Sequence, residues 1–373
     1  MHRRFPRLLA GGALTAALAL AAVAAPAAAA DAATVPIITT VASTVPENGD
    51  VNPYGVAVVP DSIGALHRGD ILVSNFNNVS NLQGTGTTIV QITPSGRVST
   101  FAEIDAGHLP GPCPGGVGLT TALSVLRSGW VIVGSLPTAD GTSATAKAGC
   151  LLVLDSHGTV RETIAGPEIN GPWDMTAADY GSHADLFVTN VLNGTVAGGG
   201  KIVRRGTVLR ISLAISPCGC GLPKPVAVTV IGSGFPERTD PTALVLGPTG
   251  LGLSPWGTLY VADTVGNRIA AIPGALKREH SAGTGNTLTR GGALNGPLGL
   301  ITTPDGKILT VNGGDGNLVP ITPAGRQLPT VQLDDTGTPP GAGALFGLAL
   351  APHHGVYFVD DNENALNLLH ARH

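Results

Sequence analysis

Five polar residues, Asn75, Asn190, Asp263, Asn312 and Asp360, each close a short run rich in β-branched and aromatic residues. Three more, Asn52, Asn170 and Asn295, stand one or two positions ahead of a proline that opens another apolar run. Oxygen-bearing side chains of this kind have two chemistries. They suit hard cations such as Ca²⁺ or Mg²⁺ rather than softer metals. They also cap turns through their own backbone. Asp174 is different, because it replaces a glycine that most copies of the same motif carry. A carboxylate there is either paired by hydrogen bonds or poised for function. Trp173 beside it is a pocket wall or a packed core indole. No Gly-x-Ser-x-Gly elbow and no phosphate-binding glycine loop occurs.

These residues recur because the elements around them recur. Pro248-Thr249-Gly250-Leu251-Gly252-Leu253 reads as a strand, Ser254-Pro255-Trp256-Gly257 as a turn, and Leu259-Tyr260-Val261-Ala262-Asp263 as a second strand. The register returns at Pro297-Leu298-Gly299-Leu300, closing at Asn312, and at Leu345-Phe346-Gly347-Leu348, closing at Asp360. Earlier copies open at Pro53-Tyr54-Gly55, at Pro114-Gly115-Gly116 and at Pro172-Trp173-Asp174, which makes six. Third strands are predicted over 88–92, 150–154, 208–213, 268–272, 318–321 and 365–369. Outer strands are predicted over 98–104, 160–164, 226–231, 286–290 and 328–333. The chain ends before a sixth outer strand, and residues 35–44 are left to pair beside 365–369. The reading is therefore all-β: a six-bladed β-propeller of four-stranded antiparallel blades, closed by the N-terminal strand. A sandwich of similar composition has no reason to repeat one hairpin six times.

Residues 1–30 have the pattern of a cleaved secretory signal peptide: Arg3, Arg4 and Arg7, an Ala/Leu run, and Ala28-Ala29-Ala30. Residues 31–373 are then a single propeller domain, secreted or periplasmic, with no membrane span after cleavage. The leader holds three of the 21 basic residues and none of the 25 acidic ones. The remaining acidic balance gives no electrostatic footprint for nucleic acid. Four cysteines, Cys113, Cys150, Cys218 and Cys220, favour disulfides in an exported chain. Three connectivities are possible, and the propeller reading selects Cys113–Cys150 and Cys218–Cys220.

The Pro-x-Gly openings, together with Tyr260-Val261-Ala262-Asp263-x-x-x-Asn267-Arg268-Ile269, resemble the NHL repeat. That family sits close to the SMP-30/gluconolactonase-like propellers. The resemblance spans nearly all of residues 31–373 in architecture, while only the fourth repeat matches the motif closely. It implies a fold and leaves the chemistry open. Gluconolactonase-like enzymes use a Glu with Asn and Asp around a divalent metal. The resemblance offers Asn190, Asp263 and Asn52 for such parts, with Ca or Mg as the metal. No Glu opens a blade, and Glu47 in a loop is the nearest. NHL-type amidating lyases hold zinc through histidines on the channel face, where only His108 lies here. His67, His183, His353 and His354 are expected in turns on the opposite face, and His157 in a third-to-fourth-strand turn. Blades 1, 2 and 3 carry long Gly-rich insertions at 76–87, 136–149 and 191–205, all on one face. Two functions follow as expectations. The first is a scaffold that binds a small molecule or an extracytoplasmic protein through these loops. The second is a metal-dependent hydrolase or lyase acting on a small ester or lactone at the channel mouth.

Overall fold

The repeated hairpin forms the two inner strands of a sheet, and six such sheets stand around one axis. The computed structural model describes residues 36–216, 221–352 and 355–371. The predicted leader, the Cys218–Cys220 pair and the His353-His354 turn lie outside the described residues. β1 (Pro36–Ser43) begins the described chain. Blade 1 is β2 (Val51–Val58), β3 (Ile71–Asn77), β4 (Thr88–Ile92) and β5 (Val98–Glu103). Blade 2 is β6 (Leu119–Val125), β7 (Val131–Ser135), β8 (Cys150–Leu154) and β9 (Val160–Ile164). Blade 3 is β10 (Pro172–Asp179), β11 (His183–Asn190), β12 (Val203–Ala214) and β13 (Lys224–Asp240), extended by a short β14 (Leu244–Leu246). Blade 4 is β15 (Pro248–Leu253), β16 (Leu259–Asp263), β17 (Arg268–Ile272) and β18 (Asn286–Arg290). Blade 5 is β19 (Pro297–Thr302), β20 (Ile308–Asn312), β21 (Asn317–Ile321) and β22 (Val331–Gln332). Blade 6 is β23 (Leu345–Leu350), β24 (Val356–Asp360) and β25 (Ala365–Ala371), with β1 as its outer strand.

The closing strand lies where the repeat count required it. β1 runs antiparallel to β25, with Ile38 opposite Leu369 and Ser43 opposite Ala365. Second and third strands such as β3, β8 and β16 are buried at every position. Each blade stacks on two neighbours, so both faces of these strands need apolar side chains and the sequence shows continuous runs. The core is divided among blade interfaces. Between blades 2 and 3, for example, Ile132, Leu151, Met175, Leu186 and Leu209 pack together.

Blade 2 departs from the expected register. Its inner strand starts at Leu119, which pairs with Ser135, and Pro114 to Gly118 forms the approach to it. In the other blades the matching pair is Pro53–Asn75, Pro172–Asn190, Pro248–Asp263, Pro297–Asn312 and Leu345–Asp360. The glycine slot two positions on is therefore Gly55, Thr121, Asp174, Gly250, Gly299 and Gly347. Inner strands crowd there: a Cβ on Gly250, Gly299 or Gly347 would run into the backbone carbonyl of Leu298, Phe346 or Tyr54 in the next blade. The outer strand of blade 3 also exceeds the expected 226–231. Bulges carry β13 through Gly232, Gly234 and Pro236 to Asp240, and a hairpin returns it to β14. In blade 5 the outer strand shrinks to two residues.

Candidate functional site

The strand-end polar residues are buried and mostly bonded to nearby backbone or side chains, although Asn75 Oδ1 and Asn190 Nδ2 make no hydrogen bond. Asn190 Oδ1 accepts the Asn170 N–H at 3.1 Å, and Asn312 Oδ1 accepts the Asn295 N–H at 3.0 Å. Asn75 donates to the Thr44 carbonyl at 3.0 Å. In each case the side chain ties the end of the second strand to the segment that leads into the first. Asp360 accepts the Glu363 N–H. Asp263 lies 1 % exposed, accepts the Gly266 N–H, and pairs with Arg268 Nε at 2.8 Å. Asn52 sits at φ 60°, and its N–H donates to Asn364 Oδ1. Asn295 Nδ2 donates to Asp315. These residues ring the loop-bearing face without converging on one point.

The trio Asn52, Asn190 and Asp263 therefore does not fit a divalent cation. A guanidinium already neutralises Asp263, and the Asn190 oxygen is taken by a peptide N–H. Among the described residues no three His, Cys, Asp or Glu side chains are placed to share a metal. His108 is exposed and paired with Asp105.

The channel mouth on this face is packed shut. The residues one before each glycine slot are Tyr54, Thr120, Trp173, Thr249, Leu298 and Phe346. Tyr54 stacks on Phe346 at 3.8 Å and on Phe76 at 4.5 Å, and Trp173 tilts against Phe346 at 6.4 Å. Leu298, Leu244 and Val245 join the same cluster. The β13–β14 hairpin thus lies across the axis, and Gln83 in the first long loop donates to its Pro241 carbonyl. Leu244 holds φ 58° there, a costly conformation for leucine.

Below the plug the channel is open. A cavity of about 220 Å³ is lined from the slot residues Thr121, Asp174, Gly299 and Gly347 down to Val58, Val125, Ala177 and Ile301. It runs towards the first-to-second-strand turns, on the face opposite the long loops. Asp174 is the one titratable side chain among the described residues of its lining. Its carboxylate accepts the Met175 N–H and, across the blade boundary, the Leu251 N–H, both at 2.8 Å. Burial pushes the carboxyl up to about 7 against the pull of those two amides. The Thr121 hydroxyl is also buried and makes no hydrogen bond.

No family model and no curated protein matches the chain by sequence. Solved structures do match it by shape. A gluconolactonase from Xanthomonas campestris aligns with TM-score 0.54 and 13% identity, over 90% of this chain and 89% of that one. The calcium-binding protein regucalcin from Agrobacterium tumefaciens aligns with TM-score 0.53 and 13% identity, over 89% and 94%. A streptogramin B lyase aligns with TM-score 0.52 and 16% identity, over 90% and 98%.

The fold is that of the SMP-30/gluconolactonase-like six-bladed propellers.

On this gluconolactonase-like frame the long loops of blades 1 to 3 are knitted together. Thr138 in the second loop bonds the Gln83 and Gly84 carbonyls of the first. The Gly149 N–H donates to the Asn170 carbonyl at the entry to blade 3. Cys113 and Cys150 form a disulfide at the base of the second loop. Val79, Leu82 and Ile202 stand out from these loops, with Val79 69% exposed. Opening the Cys113–Cys150 bridge, which spans 37 positions, is expected to cost about 2–4 kcal/mol of stability. A Cys113→Ser/Cys150→Ser chain should show this in urea denaturation. An unchanged midpoint would mean that the bridge does not order the loop.

Beside the predicted Asp360, three buried or half-buried acids, Glu237, Asp334 and Asp361, carry no sequence signal. Glu237 on β13 is fully buried, makes no well-formed hydrogen bond, and is pushed up to about 8 by burial despite Asn193 and Arg205. Asp360 is pushed to about 7 by burial and then by the neighbouring charge of Asp334, and Asp361 to about 7 by burial and then by Asp360. Asp334 accepts from Thr336 and Asn362.

Proposed function

We propose that this protein is an exported binding propeller. Its partner, a small molecule or an extracytoplasmic protein, seats on the knitted loops of blades 1 to 3. One observation carries the reading: the aromatic plug fills the channel mouth beneath the very loops that present Val79, Leu82 and Ile202 to solvent. Chemistry at that mouth would have to displace Tyr54 and Phe346, whereas binding on the loops needs no rearrangement. Apolar side chains held out from pinned loops are the kind of anchor that interfaces use.

The test is a Val79→Asp/Leu82→Asp chain immobilised beside the unaltered one and exposed to an extracytoplasmic fraction. Both side chains are exposed, so the melt should not change. The unaltered protein should retain a partner that the variant holds at least about tenfold less well, a shift of about 1.4 kcal/mol. Equal retention by the two would remove the reading.

A second reading is a hydrolase or lyase on a small ester or lactone. It is favoured by Asp174, a carboxyl near 7 in a cavity of about 220 Å³. Such a group is matched to proton transfer near neutral pH. Turnover of a lactone or ester that Asp174→Asn abolishes would put this reading in place of the first.

A further inference from the structure

The crevice between blades 3 and 4 has a charge pattern that the fold does not need. Its cavity, about 420 Å³, is lined by Arg204 of β12, Arg268 of β17 and Arg290 of β18, with Asp263 at its floor. Arg268 and Arg290 face each other across the β17–β18 pair. Arg268 is 5% exposed and spends its donors inside the fold. Its Nε bonds Asp263, and its two terminal nitrogens bond the Thr287 hydroxyl and the Thr284 carbonyl. That pairing satisfies both Asp263 and Arg268. Arg204 and Arg290 are left over: neither makes an ion pair or side-chain hydrogen bond among the described residues. Among the described residues of the lining, Asp263 is thus the single carboxylate set against three guanidiniums, in a chain of net charge −4. Guanidiniums gathered without counter-charge repel one another, and the cost is recovered when an anion enters. Their planar forks match oxyanions two hydrogens at a time. Thr287 and Thr284 line the same cavity, as do Gly266 and Gly285.

We infer that this crevice is a binding site for the oxyanion of a small molecule, a phosphate or the paired carboxylates of a diacid. It lies off the channel axis, and its arginines come from strands β12, β17 and β18; Ile202 at the end of the third loop borders it, while Val79 and Leu82 do not. The site therefore stands whether or not Val79 and Leu82 meet a partner.

The experiment is calorimetric titration of the whole protein with inorganic phosphate and, separately, with succinate, at fixed ionic strength. The expected result is saturable binding of at least one of them at one site per chain. Arg204→Gln/Arg290→Gln should weaken it at least about tenfold, and Arg97→Gln, in an exposed turn elsewhere, should not. Arg204 and Arg290 are exposed, so the double variant should melt as the parent does. Arg290→Glu alone supplies a second reading of the same effect. Preference for phosphate or for succinate tells the two oxyanion sources apart. No saturable binding of either probe, or equal loss in the Arg97 control, overturns the site. The Val79→Asp/Leu82→Asp chain should bind the anion unchanged, which separates this test from that of the loop surface.

Discussion

Arg268→Met is expected to destabilise the propeller by about 3–5 kcal/mol at neutral pH, as when one partner of a buried ion pair is removed. Asp263 is 1% exposed and closes the second strand of blade 4. Burial already raises its carboxyl above the ordinary value even with Arg268 2.8 Å away. Without the guanidinium the carboxyl must be buried as an uncompensated charge or take up a proton. The Arg268 guanidinium also stands 5.9 Å from the Phe235 ring and bonds Thr284 and Thr287, so it joins three strands of blade 4 to blade 3. Urea denaturation measures the loss. Two companion results separate ion-pair loss from simple packing loss. Asp263→Asn/Arg268→Met should recover part of the deficit, because no charge is then stranded. The single variant should also lose less at pH 5 than at pH 8, because a stranded Asp263 is protonated more readily at low pH. A deficit independent of both would show that Arg268 matters through packing alone.

The same pair shows why architecture was easier to read from sequence than the site. The repeat is written in turn-forming and β-prone residues spaced by backbone geometry, so Pro248 to Asp263 recurs fifteen residues apart at Pro297 to Asn312 and at Leu345 to Asp360. Closure by β1 follows from counting strands. Blade 2 starts later than its motif predicts because Pro114-Gly115-Gly116 imitates the opening, while the strand itself carries Leu119 and Thr121 in the Pro and Gly positions. The extension of β13 is hidden by Gly232, Gly234 and Pro236, which normally end a strand and here sit at bulges. Side-chain chemistry is harder still. An asparagine at a strand end has the same letter whether it binds an ion or a neighbouring amide, and in Asn190 and Asn312 the amide has it. The plug draws Tyr54, Trp173, Leu298 and Phe346 from four blades, so no local pattern announces it. Arg204 and Arg290 meet for the same reason.

From pH 5 to pH 9 the folded chain is expected to lose stability, and Asp174→Asn should remove part of that loss. Asp174 has an ordinary value of 3.8 and stands at about 7 when folded, with Asp360 and Asp361 also near 7 and Glu237 near 8. All four hold their protons more tightly in the folded state. Their contribution is fully present below the unfolded values and is lost as pH rises through the folded ones. Other carboxyls oppose this at the acid end. Hydrogen bonds and Lys307 hold Asp305 down at about 2, and Asp105, Asp140 and Asp240 are also lowered. Those groups stabilise the fold above their unfolded values and stop doing so as pH falls through their folded ones. The optimum therefore lies at about pH 4, close to the unfolded values that the two sets share, and the loss runs on from there through pH 5 to the folded values of the raised set. For Asp174, the stretch from about pH 5 to its folded value spans roughly two pH units at about 1.4 kcal/mol each, or about 3 kcal/mol. Asparagine cannot ionise, yet it offers one acceptor where Asp174 offers two, to Met175 and Leu251. The variant should thus be about 1 kcal/mol less stable at pH 5. By pH 9 it should equal or exceed the parent. Urea midpoints at pH 5, 7 and 9 for both chains measure the crossing. Parallel lines across the whole range would mean that Asp174 ionises as readily folded as unfolded, and that the channel around it is wetter than its lining suggests.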